Sequence, residues 1–200
     1  MREILKRYPR AVGDRFTLRL LKAGDEAALY AFFRRIPIDE RQHFREDVLD
    51  RSILRGWVRN LRVQTVLPLL LLDGRRIVAD ATLRRHRHGW SRHVGRIRIT
   101  LDPAYRRRGL GKALVREFID LAPGLGIAIL DAEVLSAEKG AARLFGGLGF
   151  FPAATLPQHA LDLASRVHDI VVYTCTVTPP ERLAPEVALA EEDADLGGEA

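Results

Sequence analysis

Thiol chemistry is nearly absent from this 200-residue chain, which holds one cysteine, Cys175. A single cysteine excludes an intrachain disulfide and suits a reducing compartment; inside the strand-like "DIVVYTCTV" it reads as a buried, inert thiol. Long apolar runs are missing too: nothing approaches the ~18 residues of a membrane span. The start, "MREILKRYPRAVGDRF", has no apolar segment of a secretory signal. A soluble, cytoplasmic protein with no membrane partner is the expectation. Lysine is scarce, with four among 32 basic residues, so 28 are arginine, a forked and permanently charged donor suited to anions. No internal repeat is visible.

What is present suits one globular domain. The chain is 47% hydrophobic, and a chain of this length buries roughly 70% of its unfolded surface. Net charge is +6, but residues 181 to 200 hold seven acids against the single Arg182, so that segment is −6 and the rest is +12. With Pro179, Pro180 and Pro185 at its start, the segment from 179 to 200 has too little apolar surface to offset its ordering entropy and is expected to be a flexible acidic tail. Residues 1–14 read as an N-terminal extension, and 15–178 as the domain.

Within that domain, "RFTLRLL" alternates as a half-buried strand. Asp25 stands where it would cap a helix carrying Leu29, Phe32, Phe33 and Ile36 and ended by Pro37. Helical patches follow over about 40 to 49 and 52 to 61. "TVLPLLLLDGRRIVADATLRR" reads as two strands around the Asp73-Gly74 turn. Beyond a basic tip, "VGRIRITLDP" is a strand, and Leu110, Leu114, Phe118 and Leu121 share a helix face up to Pro123. "IAILDAEVL" is a strand and "SAEKGAARLFGGLGF" a short helix; "AATLPQHAL" and "DIVVYTCTV" supply two last strands. The order predicts an α/β (α+β) fold, a mixed sheet with helices.

The chemistry concentrates in "YRRRGLGKAL", residues 105–114. A strand, a tight glycine turn and a helix in succession present free N–H groups and a positive dipole end, an arrangement that binds phosphate. A P-loop is excluded because Arg106 and Ala113 occupy its first glycine and its hydroxyl position; a dinucleotide fingerprint is excluded by Leu114 in place of the third glycine. Arg106, Gly109 and Gly111 form Arg-x-x-Gly-x-Gly after a strand ending "LDPAY", and this resembles the acetyl-CoA signature of the GNAT N-acetyltransferase superfamily. "FTLRLLKAGDEAALYAFFRRIP", "AEVLSAEKGAARLFGGLGF" and "HDIVVY" resemble its first strand and helix, its later strand and helix, and its last strand, extending the likeness over about residues 15 to 176. "RHGWSRHVGRIRITLDPAYRRRGLG" is similar to an uncharacterised bacterial subgroup near the protein-lysine acetyltransferase branch.

The resemblance implies a GNAT fold, with a mostly antiparallel sheet splayed between two parallel strands and helices on both faces. It implies acetyl-CoA as cosubstrate. The pyrophosphate would sit on backbone N–H groups among Arg107, Arg108, Gly109, Leu110, Gly111 and Lys112, with Arg106 and Ala113 in the same motif. Thr100 and Leu101 would bond the pantetheine arm, and the Leu101 N–H would act as oxyanion donor.

Two groups common in the family are missing. Counting back from Pro103 puts Arg96 where many members carry a glutamate base, and Phe145 stands where many carry a tyrosine acid. Such groups contribute about 10² to 10⁴ each, whereas placement of reactants supplies ~7 to 11 kcal/mol, so transfer slows without being forbidden. At pH 7 about 14% of an α-amine of pKa ~7.8 is neutral but only about 0.04% of a lysine of pKa ~10.4. The expected acceptor is therefore a low-pKa amine on a small molecule or protein. Glu133 and His93 are candidate replacement bases, each with an ordinary alternative: Glu133 as partner of an arginine such as Arg96 or Arg98, His93 as a surface residue. His86 and His88 lack a carboxylate or thiol at ligand spacing, so no metal is expected. Tyr173 reads as packing with a wet hydroxyl. The rival function is a CoA-binding or sensing module with little or no catalysis. Nucleic acid is disfavoured because no aromatic stacking series accompanies the arginines. The protein is expected as a monomer or homodimer.

Overall fold

A computed structural model describes residues 2–179; the acidic segment beyond lies outside the described residues. Eight strands form one sheet in the order β1-β2-β3-β4-β5-β6-β8-β7. In chain order they are β1 (Arg10–Val12), β2 (Phe16–Leu20), β3 (Val66–Asp73), β4 (Arg76–Arg85), β5 (Val94–Leu101), β6 (Ile129–Leu135), β7 (Phe151–Leu161) and β8 (Val167–Thr176). The helices are α1 (Arg2–Leu5), α2 (Glu26–Phe33), α3 (Ile38–Arg41), α4 (Arg51–Arg59), α5 (Leu110–Leu121) and α6 (Lys139–Gly146). Among the described residues no helix is long and apolar enough to cross a membrane.

Strand β3 explains the layering. Its run "VLPLLLL" is apolar without alternation because both of its faces are buried. Leu69 and Leu71 join the larger core under α5 with Val115, Phe118 and Leu130, while Leu70 and Leu72 join a second core under α2 and α4 with Phe32, Phe33, Ile36 and Leu54. Each fully buried large side chain contributes about 1.5–3 kcal/mol. The turn after Asp73 is as expected, with Gly74 at φ 59° and Asp73 opposite Arg76.

Among the described residues, the pairing between β5 and β6 is the one parallel ladder and the shortest link between long strands. It joins Val94, Gly95 and Arg96 to Ile129, Leu130 and Asp131. Beyond it β5 stays with β4 to Leu101 and β6 stays with β8 to Leu135, so the sheet splits. Outer strand β7 carries two register shifts, at Pro152/Ala154 and Leu156/Ala160.

Three local expectations need correction. Asp25 stands at the N-cap of α2 but its side chain makes no cap bond; Arg19 takes both its oxygens at 2.7 and 2.8 Å and Lys22 N–H donates to it as well. Helix α2 stops at Phe33, and residues 35 and 36 bond back to 32 and 33, tightening the last turn before Pro37. The helix expected over 40–49 is only α3 followed by turns. Asp47 accepts Leu49 N–H at 2.9 Å, a local side-chain bond that competes with the helix ladder, and the Gln42 carbonyl is taken by Leu163 N–H from the β7–β8 connection.

Residues 2–12, read as an extension, join the fold. β1 pairs with β2, and Glu117 of α5, with 1% of its side chain exposed, is paired with Arg10 and accepts the Tyr8 hydroxyl at 2.5 Å. Burial pushes Tyr8 up to about 12, against the pull of Arg7 and Arg10. Tyr8→Phe removes a hydrogen bond to a buried carboxylate, so urea unfolding is expected to show a loss of about 1.5–3 kcal/mol; an unchanged midpoint would mean that Arg10 and Arg7 satisfy Glu117 without it.

Candidate active site

The split in the sheet leaves a strand edge with its own donors. Asp102 N–H donates to the Val78 carbonyl at 2.9 Å and Ala79 lies opposite Leu101. By antiparallel alternation, the main-chain groups of residues 98, 100 and 102 therefore face β4, and those of Ile97, Ile99 and Leu101 face the gap toward β6. Thr100, expected on the pantetheine arm, has its main chain committed to β4 and is buried. The position that shares the open edge with Leu101 is Ile99, which the sequence reading missed because edge parity depends on a cross-strand register. The Leu101 carbonyl is already covered by Arg106 Nη2 at 3.1 Å; its N–H remains on the open side.

At the end of β5 a buried acid anchors the loop. Asp102 accepts Arg35 Nε at 2.6 Å, Arg76 Nη2 at 2.9 Å and Ala104 N–H at 3.1 Å, the last closing a 3₁₀ turn over Pro103–Tyr105. Burial alone would raise its pKa, but the bonds from Arg76, Arg35 and Ala104 outweigh it and hold the carboxyl below its ordinary value. Tyr105 is buried and donates its hydroxyl to Asp73 at 2.8 Å, fastening the loop to the β3–β4 turn.

From there the chain passes through left-handed backbone twice, at Arg107 (φ 59°) and Gly109 (φ 77°), into α5. The first α5 amide with an acceptor is Ala113, on the Gly109 carbonyl at 3.0 Å. Among the described residues, the N–H groups of residues 107 to 112 have no hydrogen-bond partner. Six free donors at a turn of this shape, ahead of a helix dipole, suit a phosphate or diphosphate. Gly111 serves packing: a Cβ there would meet Leu144 of α6 at 3.3 Å and Leu101 at 3.4 Å.

The basic side chains divide. Arg106, expected to face phosphate, instead reaches Glu40 of α3, with Nη1 to Oε1 at 2.6 Å. Arg108 folds back over the Tyr105 ring at 5.1 Å and onto the Ala104 carbonyl. Arg107 and Lys112 are exposed and have no partner among the described residues.

Glu133 lies at the apex of the split with its two oxygens held by Arg96 Nη1 at 2.6 Å and by Arg45. Its ordinary alternative, an ion pair with Arg96, is what the geometry has. His93 precedes the paired end of β5, its carbonyl accepting Ala128 and Ile129 N–H, so it lies away from the open edge. Phe145 is buried and stacks on Tyr173 with ring centroids 6.3 Å apart and an interplanar angle of 27°.

A cluster that sequence spacing could not reveal joins the two loops bordering the α2/α4 face. His43, Asp162 and His168 have ligand atoms within 4.8 Å of one another. Asp162, however, already accepts Ala164 N–H, Arg166 N–H, Arg166 Nε and His168 Nε2. Those bonds, led by that from Arg166 N–H, outweigh its desolvation and keep the carboxyl far below the usual range. The cluster closes the β7–β8 connection. His86 and His88 are exposed in the tip and take no part in it.

The chain is matched over residues 27–150 by the acetyltransferase (GNAT) family model. It is 42% identical over 52 residues to the [ribosomal protein bS18]-alanine N-acetyltransferase of Escherichia coli K12; the match covers 26% of this chain and only 35% of that relative's length. Among solved structures, a putative acetyltransferase from Salmonella typhimurium with its cofactor acetyl-CoA superposes with TM-score 0.71 over 88% of this chain and 100% of that one, at 21% identity. The ribosomal-protein-S5-alanine acetyltransferase of Vibrio fischeri gives 0.75 over 88% and 98%, at 14% identity.

Two consequences are measurable. Gly109 has open space around its missing Cβ, so Gly109→Ala is expected to cost only the left-handed backbone strain, about 1–2 kcal/mol. Gly111→Val must displace Leu144 or Leu101 and is expected to cost about 1–3 kcal/mol; a Gly111→Val midpoint equal to the parent's in urea unfolding would contradict this packing. Asp102 stabilises the fold fully above its ordinary value of 3.8 and progressively less as pH falls toward its lowered folded value. Asp102→Asn should therefore be less stable at pH 7 and lose less on acidification to pH 3 than the parent, as read from denaturation midpoints. The spread of the family match, together with this sheet and loop, gives the assignment: the chain belongs to the GNAT acetyltransferase family.

Proposed function

We propose that the protein is an acetyl-CoA-dependent N-acetyltransferase in which a primary amine attacks the thioester directly. The observation that carries the reading is the set of partnerless amides at residues 107–112 beside an open β5 edge. The diphosphate suits those amides, with Arg107 and Lys112 the free cations beside them. The pantetheine arm suits the main-chain groups of Ile99 and Leu101, and the Leu101 N–H is the donor for the carbonyl oxygen as negative charge grows there. As the new N–C bond forms and the C–S bond breaks, the thiolate departs and the amine sheds a proton.

Glu133, the carboxylate at the apex of the split among the described residues, is held by Arg45 and Arg96 and so is not free to take that proton. The burden falls on the acceptor, which must arrive neutral. A cationic cleft helps, because like charge disfavours an ammonium ion. This supports an α-amine or a small-molecule amine over lysine. The likeness to an enzyme named for the alanine of a ribosomal protein is consistent with a protein acceptor of that kind.

The test is thiol release from acetyl-CoA at pH 7 with peptides bearing a free N-terminus, peptides bearing only a lysine amine, and small amines. The N-terminal or small amines are expected to lead, with the lysine peptide lagging by roughly the 350-fold ratio of neutral fractions. A lysine peptide that outruns them all would overturn the acceptor assignment. Calorimetry completes the test: Gly109→Glu, placing a carboxylate against the free amides, should weaken acetyl-CoA binding at least about tenfold. Binding by the parent without turnover on any amine would favour the sensing module, a reading that Arg96 and Phe145 keep in play.

A further inference from the structure

On the face of the sheet opposite α5, four guanidinium groups gather around the apex of the split. Arg84 of β4 and Arg96 of β5 are directly opposite in the ladder, a like-charged cross-strand pair that costs a sheet stability. Arg98 lies two residues further along the same face, its guanidinium 5.5 Å from the Trp57 ring centroid and 5.9 Å from that of Phe44. Arg45 reaches in from the loop after α3 to share Glu133 with Arg96.

The acids on this face do not balance them. Glu133 serves two arginines at once. Asp80 is buried and bonded to Arg98 at 3.1 Å, and its desolvation pushes its pKa up despite Arg98 and Arg84. Asp131, opposite Arg96 in the β5–β6 ladder, accepts the Thr174 hydroxyl. Arg84 makes no hydrogen bond or ion pair among the described residues, and its charge acts on Asp80 only at longer range. Desolvation lowers the pKa of Arg45, and repulsion from Arg96, Arg84 and Arg98 lowers it further, so the four feel one another.

They also remain reachable. The side chains of Arg45, Arg96 and Arg98 are 70%, 52% and 36% exposed. Each guanidinium has five N–H donors, and the bonds just named use only a few of them. Guanidinium forks match a carboxylate in charge and shape.

We propose that Arg45, Arg84, Arg96 and Arg98 form a carboxylate-binding site at the apex of the β5/β6 split, and that the amine acceptor carries a carboxylate near its reacting nitrogen. The inference rests on the reading of the split as the place of acyl transfer. It deepens that reading by explaining why arginine stands where a base would be expected: Arg96 is a specificity-determining residue that holds the acceptor. A carboxylate can come from a free amino acid or from an acidic first residue of a peptide.

The experiment compares two matched pairs, alanine with alaninamide and Asp-Ala-Ala-amide with Asn-Ala-Ala-amide. Steady-state thiol release is measured alongside calorimetric binding of each acceptor to the full chain saturated with CoA. Replacing the acid by its amide makes the amine less basic, so protonation alone would favour the amides. The acid of at least one pair is expected to bind roughly tenfold or more tighter and to show a correspondingly lower KM; the pair that does so identifies the source of the carboxylate. Arg84→Gln, which breaks no hydrogen bond or ion pair among the described residues, should erase most of that preference through a raised KM for the acid, and Arg84→Lys should restore part of it.

Equal binding of acid and amide in both pairs overturns the proposal and leaves the transferase reading standing. Acid-selective binding lost in Arg84→Gln, without turnover on any amine, upholds the site and defeats the transferase reading. An RNA oligonucleotide that binds through Arg84 and Arg96, with no discrimination between acid and amide, overturns the proposal as well.

Discussion

The molecule depends on a ladder that stops early. β5 and β6 hold together over three residue pairs and then part, because each keeps its other neighbour, β4 or β8, to the end of its length. Unpaired backbone groups inside a protein are costly, and this fold leaves a row of them on the inner edge of β5. The structure around the gap limits that cost. Arg106 covers one carbonyl and Asp102 fixes the direction in which the chain leaves the strand. The amides beyond emerge where solvent or a ligand can satisfy them.

The excess of arginine over lysine has a physical role beyond net charge. Most buried acids of the fold are held by a guanidinium: Asp25 by Arg19, Asp80 by Arg98, Asp102 by Arg35 and Arg76, Glu117 by Arg10, and Asp162 by Arg166. A forked donor satisfies two lone pairs at once and stays charged when partly desolvated, which an ammonium does poorly. Several of these pairs join segments distant in sequence, so the chain uses them as ties between loops and sheet. Other cations among the described residues make no such tie, and three of these, Arg84, Arg107 and Lys112, lie near the two ends of the gap.

Much of this was legible in the residues. The glycine turn, the α5 face and the seven main strands followed from period and punctuation, and the motif at residues 106–111 located the loop whose amides are free. What the sequence did not yield was set by partners far away in the chain. Whether Thr100 or Ile99 faces the gap depends on the β4 register. Arg106 turns to Glu40, a residue in a short helix that periodicity had drawn as part of a longer one. The His43–Asp162–His168 cluster assembles from two loops and the start of β8, whose proximity no spacing rule contains. Local chemistry also misled: Asp25 has the right identity and place for a cap, yet a nearby arginine outcompetes the backbone for its carboxylate.

The far edge of the sheet has its own consequence. β7 is long and carries exposed Phe151 and Leu161, features that invite a second chain to add itself as a ninth strand. Yet Pro152 and Pro157 remove two of its donors, both register shifts bend it, and Gln158 adopts φ 53° with its N–H turned inward to Asp169. An intruding strand would find a broken comb of donors and acceptors. Growth of the sheet by templating at β7 is opposed by the backbone itself, whatever the side chains offer.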